Sequence, residues 1–494
     1  MEFITQAIQQ LPLGVPAKAN EALRIPDIVR VILQNMKQDR PTLYRAIRLS
    51  KMWHEHGIGL LWESPPASAL EHIVKVFPER QNYYASKIVR LYVPEDDGDR
   101  LHPLFSGLGD AFTKLKSVKI DPYYIEEGSG GRSCILQYIS PTLETMHIYG
   151  ADLPDDFLSR LAETSCRLRE LLLEAVEDVG YPTPEALSTL VDSTPSIERY
   201  VFAVGMEEYL TETVWLSLAR RQNVRAIQMD GLVDKELLRT IAESAEDIDI
   251  VPFSSLREFE GRMQCTAITD LIQLLPHLTK LELEVHGDEL SVASHLPQLT
   301  HLRSLSIRVE DTYISPLEII GLKKLTCLEV LILSSDKWNT DLDCRELTDE
   351  NFKSLVGNLP ELRVLDLYVD GFTAYDALET VAHHCPKIEE LRLTRSYDLV
   401  RPDLPNRPGV MFPELRVLEL GGFTSSQKTE QEPACITIRG LYTHLPKVVT
   451  IRIRVQFDSF NFISAWEPTE EAPYSSSPAR LRRRIFESTS ADNQ

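Results

Sequence analysis

One beat recurs in the apolar and polar positions along the chain. Its cleanest copy is Leu362-Arg363-Val364-Leu365-Asp366-Leu367, and near copies start at Leu168, Leu278, Leu302, Leu328, Ile388 and Leu415. Degenerate copies start at Ile88, Leu115, Leu143, Ile197, Val224, Leu256 and Val448. Alternating apolar residues predict a short half-buried strand, with the L-x-L positions on one side and the intervening positions on the other. Between beats lie helical patterns such as 155–161, 183–191 and 349–355, with acidic residues in their first turns.

There are about fourteen beats at intervals of roughly 22 to 34 residues, within the range of leucine-rich repeats. One strand with one helix cannot bury its own apolar face, so neighbouring units must stack. The predicted fold is therefore α/β: a leucine-rich-repeat solenoid over residues 67–465. It should form a horseshoe with a parallel inner sheet and outer helices, joined by right-handed crossovers. Longer connectors are expected near 249–252, 334–351 and 421–436, the first marking a bend between two halves.

The ends have a different texture. Residues 1–20 carry Pro12 and Pro16 without a sustained period and read as a lead-in. From Ala22 to Trp62 the pattern predicts short helices. Pro26 stands at a first helical position, followed by Ile28, Val31, Ile32 and Met36. After Asp39-Arg40-Pro41 a second helix turns Leu43, Ala46 and Ile47 inward and Arg45 and Arg48 outward. About forty residues with two tryptophans make a marginal core, so the block should dock onto a partner or the first repeat. From 466 to 494 the chain becomes Pro/Ser-rich and then basic, which predicts a disordered tail.

Charge and cysteine content narrow the class. A net charge of −22 disfavours a nucleic acid or an anionic membrane as partner. No apolar run approaches the roughly 18 residues of a membrane span, and the N-terminal stretch does not read as a signal peptide. Seven scattered cysteines, without a C-x-x-C pair, argue against both a disulfide framework and a zinc module. The expectation is an intracellular protein, cytoplasmic and/or nuclear.

The N-terminal block resembles a fungal F-box. It has the "L-R-I-P-D-I-V-R-V-I-L" opening, the "R-L-S-K-M-W" centre and the "L-L-W-E-S-P-P" close over residues 22–66, and leucine-rich repeats follow. In that family the F-box binds a Skp-type adaptor, and through it a cullin, while the repeats hold a target protein. The resemblance implies adaptor contacts from Ile25, Pro26 and Ile28 in the opening, Leu49 and Trp53 in the centre, and Leu61 and Trp62 in the close. Ser50 stands where many members carry Cys, and Ile25 where many carry Leu. An alternative is a non-ligase scaffold whose N-terminal block merely caps the first repeat.

Catalytic patterns are thin. His54 and His56 flank Glu55 without metal-helix spacing, and Gly128-Ser129-Gly130-Gly131 lacks the Lys-Ser/Thr of a phosphate loop. His383-His384 fits a helix C-terminus, and there is no G-x-S-x-G elbow. No enzyme activity, metal or cofactor is expected. A surface remains: the intervening strand residues, which should face the hollow of the horseshoe. They include Thr145, His147, Tyr149, Gln228, Asp230, Lys280, Glu282, Glu284, Ser306 and Arg308. Farther along come Asp366, Tyr368, Glu390, Arg392, Thr394, Arg452 and Arg454. Arg308, Asp366, Tyr368, Glu390 and Arg392, with Trp338 in a long connector, are the candidate contacts to an unknown protein target.

Overall fold

The structure is a computed structural model. It describes residues 21–94, 98–121, 131–150, 153–154, 156–174, 183–247, 249–287, 295–310, 313–335, 342–370, 377–397, 410–423, 445–457, 460–468 and 481–487. The chain divides into two compact units, Met1–Ser217 and Leu218–Gln494.

In the first unit five short strands lie side by side in chain order, all parallel: β1 (Arg90–Val93), β2 (Ser117–Ile120), β3 (Thr145–Tyr149), β4 (Glu170–Glu174) and β5 (Arg199–Phe202). Each begins two residues after the start of a beat, because the first leucine is buried in the turn before the strand. Leu115, Leu143 and Leu168 there are all fully buried. A repeating backbone bond fixes the register. The carbonyl of the residue after that leucine accepts two successive N–H groups from the next repeat, as Val89 O does from Lys116 (2.8 Å) and Ser117 (3.1 Å). The core lies between the L-x-L side of the strands and the connecting segments, where Phe105, Phe112, Tyr138, Phe157 and Leu158 are buried.

The second unit continues the same construction through β6 (Ala226–Val233), β7 (Glu258–Gln264), β8 (Lys280–His286), β9 (Ser304–Val309), β10 (Val330–Ser335), β11 (Val364–Leu367), β12 (Glu390–Tyr397), β13 (Val417–Phe423) and β14 (Thr450–Phe457). All nine pair in parallel, in chain order. Parallel strands joined by helices, repeated at one register, are the leucine-rich-repeat solenoid architecture in both units. In β7 a glycine replaces the third leucine of the beat that starts at Leu256: a Cβ on Gly261 would stand 3.2 Å from the Phe259 ring, which fills that space instead.

Two features depart from the expectation. After β14 the chain adds β15 (Phe460–Pro468), antiparallel to β14 and straddling the expected start of the tail, and β16 (Leu481–Glu487), antiparallel to β15 and within the stretch read as disordered. A two-stranded parallel ribbon, Leu342–Asp343 with Val369–Asp370, forms beside the main sheet. The lead-in, residues 128–130 of the Gly-rich stretch, and Trp338 lie outside the described residues.

The N-terminal block has its own core on three helices: α1 (Pro26–Asn35), α2 (Arg40–Ala46) and α3 (Lys51–Leu61). Asp39 and Ser50 cap the second and third by accepting from the amides of Thr42 (3.1 Å) and Trp53 (3.3 Å). Val29, Leu33, Met36, Leu43, Ala46, Ile47, Trp53 and Ile58 close the core. Gly57 lets α3 approach that core. A Cβ there would stand 2.4 Å from Ile47 Cγ2 and 3.3 Å from Leu33.

Two outcomes follow. Helix propensity favours Gly57→Ala by about 1 kcal/mol, but overpacking costs about 1–3 kcal/mol, and Ile47 Cγ2 is the short branch of a stiff side chain. The variant should therefore lose hydrogen-exchange protection across residues 26–61, and unchanged or increased protection would contradict this packing. The second outcome concerns His102, whose Nδ1 lies 3.0 Å from the Tyr138 hydroxyl and whose pKa burial pushes down to about 4. The unfolded chain takes up this proton near the ordinary value of about 6.5. The contribution of His102 to stability is therefore full above pH 6.5 and is lost between 6.5 and 4, by on the order of 3 kcal/mol. His102→Gln should flatten the melting temperature across that window, and a variant as steep as the wild type would refute the assignment.

Candidate interaction surfaces

The chain presents two kinds of surface, one on the helical block and one on the sheet. In the block, α1 is apolar on two sides. Val29, Leu33 and Met36 fill the core, while Ile25, Ile28 and Val31 are 47%, 37% and 61% exposed. Spacings of three residues keep those last three on one flank of the helix. At the end of α2, Tyr44 and Leu49 are 52% and 70% exposed, and the Arg48 guanidinium lies over the Tyr44 ring at 5.7 Å.

The seven residues expected to touch an adaptor therefore separate. Ile25, Pro26, Ile28 and Leu49 are solvent-facing. Trp53 is not available: it is 7% exposed within the core, and its indole N–H points at the Leu23 carbonyl at 3.4 Å. The reason is helical geometry, since Trp53 and Gly57, four residues apart, lie on the inward stripe of α3. Leu61 and Trp62 are half-buried against the same core, with Trp62 packed on Tyr84 at 4.4 Å between ring centroids. Val31, read from the sequence in one helical stripe with Ile28, Ile32 and Met36, is exposed instead, and Tyr44 was not singled out. The usable signal was that Val29, Leu33 and Met36 already complete an inward stripe, leaving Val31 outside.

On the first unit's sheet, the face opposite the core carries Tyr92, Lys119, His147 and Tyr149. The Lys119 ammonium sits over the rings of Tyr92 (5.2 Å) and Tyr149 (4.9 Å) and pairs with Asp121 at 3.2 Å. Its hydrogen bond to Asp121 raises the lysine's pKa, against a smaller opposing effect of burial. Beside it Leu172, Val201 and Ala203 form a small buried cluster with Tyr149 packed on it. The two apolar residues at intervening positions, Leu172 and Val201, break the strict alternation, and the sequence reading missed them for that reason.

The second unit's equivalent face is a ladder of ion pairs. Arg262 meets Glu284 at 2.9 Å, and Lys280 meets Glu282 at 3.3 Å. His286 bridges Glu284 (3.1 Å) and Glu310 (2.7 Å). Among the expected target contacts, Arg308 is exposed and only 4.0 Å from Glu284, and Tyr368 is half-buried. Arg392 is a hub instead of a free contact. It reaches Asp366 at 3.1 Å, Glu390 at 2.5 Å and Glu419 at 3.9 Å, and Arg452 reaches Glu419 at 3.6 Å. Asp366 and Glu419 are each only 6% exposed. Burial works against the charged guanidinium, but the carboxylates of Asp366, Glu390 and Glu419 outweigh it and raise its pKa.

Among the described residues no group of three His, Cys, Asp or Glu is placed to hold a metal ion. No described helix is long and apolar enough to cross a membrane. Burial pushes the Cys344 and Cys385 thiols up to about 12, so neither is a ready nucleophile.

No family model and no curated protein matches the chain. Among solved structures the chain is similar to the crystal structure of the Rad7 and Elc1 complex in yeast. The match has 13% identity and a TM-score of 0.43, over 74% of this chain and 94% of that one.

The Arg392 hub makes a measurable distinction. Arg392→Ala leaves the buried carboxylates of Asp366 and Glu419 without their shared cation and should cost about 3 kcal/mol or more. Arg308→Ala, at an exposed position, should stay within about 0.5 kcal/mol. Chemical denaturation of the two variants checks this, and equal effects would rule out a structural role for the hub.

Proposed function

We propose that this chain is a substrate-recognition subunit of a cullin-RING ubiquitin ligase. The helical block docks on a Skp-type adaptor, and the repeats hold a target protein. In this role the chain makes and breaks no bonds; it raises the effective concentration of target near a ubiquitin-conjugating enzyme. One observation carries the reading. The block closes its own core and still exposes Ile25, Ile28, Val31, Tyr44 and Leu49, and exposed apolar side chains gathered on one small domain mark a protein-binding surface. Four of the residues implied by the F-box resemblance belong to that set or flank it.

The scaffold alternative gains support from the same block, whose closing segment bonds to β1 through Glu63. Capping and adaptor docking use different residues, so the two roles are compatible. Co-purification with a Skp-type adaptor separates them. The double variant Ile28→Asp, Leu49→Asp should keep the wild-type melting temperature and weaken adaptor capture at least tenfold, about 1.4 kcal/mol. Trp53→Ala should lose the adaptor by unfolding the block, visible as lost exchange protection. Wild-type chain that captures no adaptor would leave the scaffold reading in its place.

A further inference from the structure

The junction between the helical block and the first repeat is built as a repeat itself. In the first unit Val89 O accepts from Lys116 and Ser117, Lys116 O from Glu144 and Thr145, and Glu144 O from Arg169 and Glu170. One step earlier the same pair of bonds runs from Val89 N (2.8 Å) and Arg90 N (2.9 Å) to the carbonyl of Glu63. Glu63 follows Trp62 at the end of the helical block, so the block's closing segment supplies the rung before β1.

The Glu63 side chain ties the same elements together. Its carboxylate is 17% exposed and lies between Lys37, just past α1, at 2.6 Å and Arg90 of β1 at 3.1 Å. Arg40 of α2 donates to the carbonyls of Leu61 (3.2 Å) and Ser64, on either side of it. Exposed ion pairs contribute little, and Arg90 is itself 54% exposed, but the Glu63 and Lys37 side chains are mostly shielded and the segment is braced by backbone bonds on both flanks. Tyr84, on the approach to β1, packs against Trp62 and the block's core.

We infer that Glu63 is a positioning residue that makes the helical block and the first repeats one rigid body. The inference rests on the ligase reading for its purpose. A receptor that docks at Ile28 and Leu49 and holds its target on the repeats must keep the two at a fixed orientation for transfer to reach a particular lysine. Neither the adaptor face nor the repeat sheet includes Glu63, so its effect is on geometry and not on either contact.

The test uses the full chain with spin labels placed by unnatural amino acids at the exposed positions Arg45 and Glu163. Double electron–electron resonance should give one narrow distance for the wild type. Glu63→Ala should broaden it severalfold, Glu63→Gln should broaden it less, and Glu79→Ala should leave it unchanged. Lys37→Ala with Arg90→Ala removes the same contacts from the other side and serves if Glu63→Ala does not fold. Adaptor capture by these variants should stay at the wild-type level while ubiquitin transfer to a bound target falls. A broad wild-type distribution, or a narrow one in both the Glu63→Ala and the paired variant, would overturn the inference. The distances are read without adaptor, so failure of the ligase reading would show separately, as absent capture.

Discussion

The structure depends on one constraint: a strand and its helix cannot bury the strand's apolar side alone. Each repeat is roofed by its neighbours, and the parallel strand ladder is the device that holds them in step. Within each unit the residue after a first leucine gives its carbonyl to two amides of the next repeat, so the register is set by backbone bonds and not by side-chain choice. That leaves the intervening side chains free to vary. In the second unit they form the ion-pair ladder around Glu284 and the Arg392 hub; in the first they form the Lys119–tyrosine cluster and a small apolar patch.

The same constraint gives the helical block two duties. A stacked array needs something on its first strand, and the Glu63 carbonyl provides it. The block's three helices meanwhile close a core of eight buried residues, made possible by the missing side chain at Gly57. Once that core is filled, the outer flank of α1 and the end of α2 leave Ile25, Ile28, Val31, Tyr44 and Leu49 exposed among the described residues. The proposed docking role rests on that surplus of apolar side chains, in the place where the F-box resemblance puts an adaptor.

Much of the fold was legible because its period is long and repeated. All fourteen beats precede a strand, including degenerate ones such as Val224 and Val448, since burial of the first leucine tolerates any bulky apolar residue. The ends were less legible. Strands β15 and β16 pair antiparallel and carry no beat, and for β16 the Pro/Ser-rich, basic composition pointed to disorder instead. At the candidate surfaces, the F-box resemblance nominated Ile25, Pro26, Ile28 and Leu49, which are exposed, but equally nominated Trp53, which belongs to the core. That depends on which stripe of α3 faces α1 and α2. Asp366 and Arg392 were nominated as open contacts because the period puts them on the exposed face. Their mutual burial comes from strands β11, β12 and β13 lying side by side, which no single repeat reveals.

The most direct measurement is hydrogen exchange on the full chain with and without a Skp-type adaptor. Docking at the exposed flank predicts new protection confined to residues 25–31 and 43–49, with the amides of β2 to β5 unchanged. Protection that falls on the repeats, or none anywhere at saturating adaptor, would contradict the proposed role of the block.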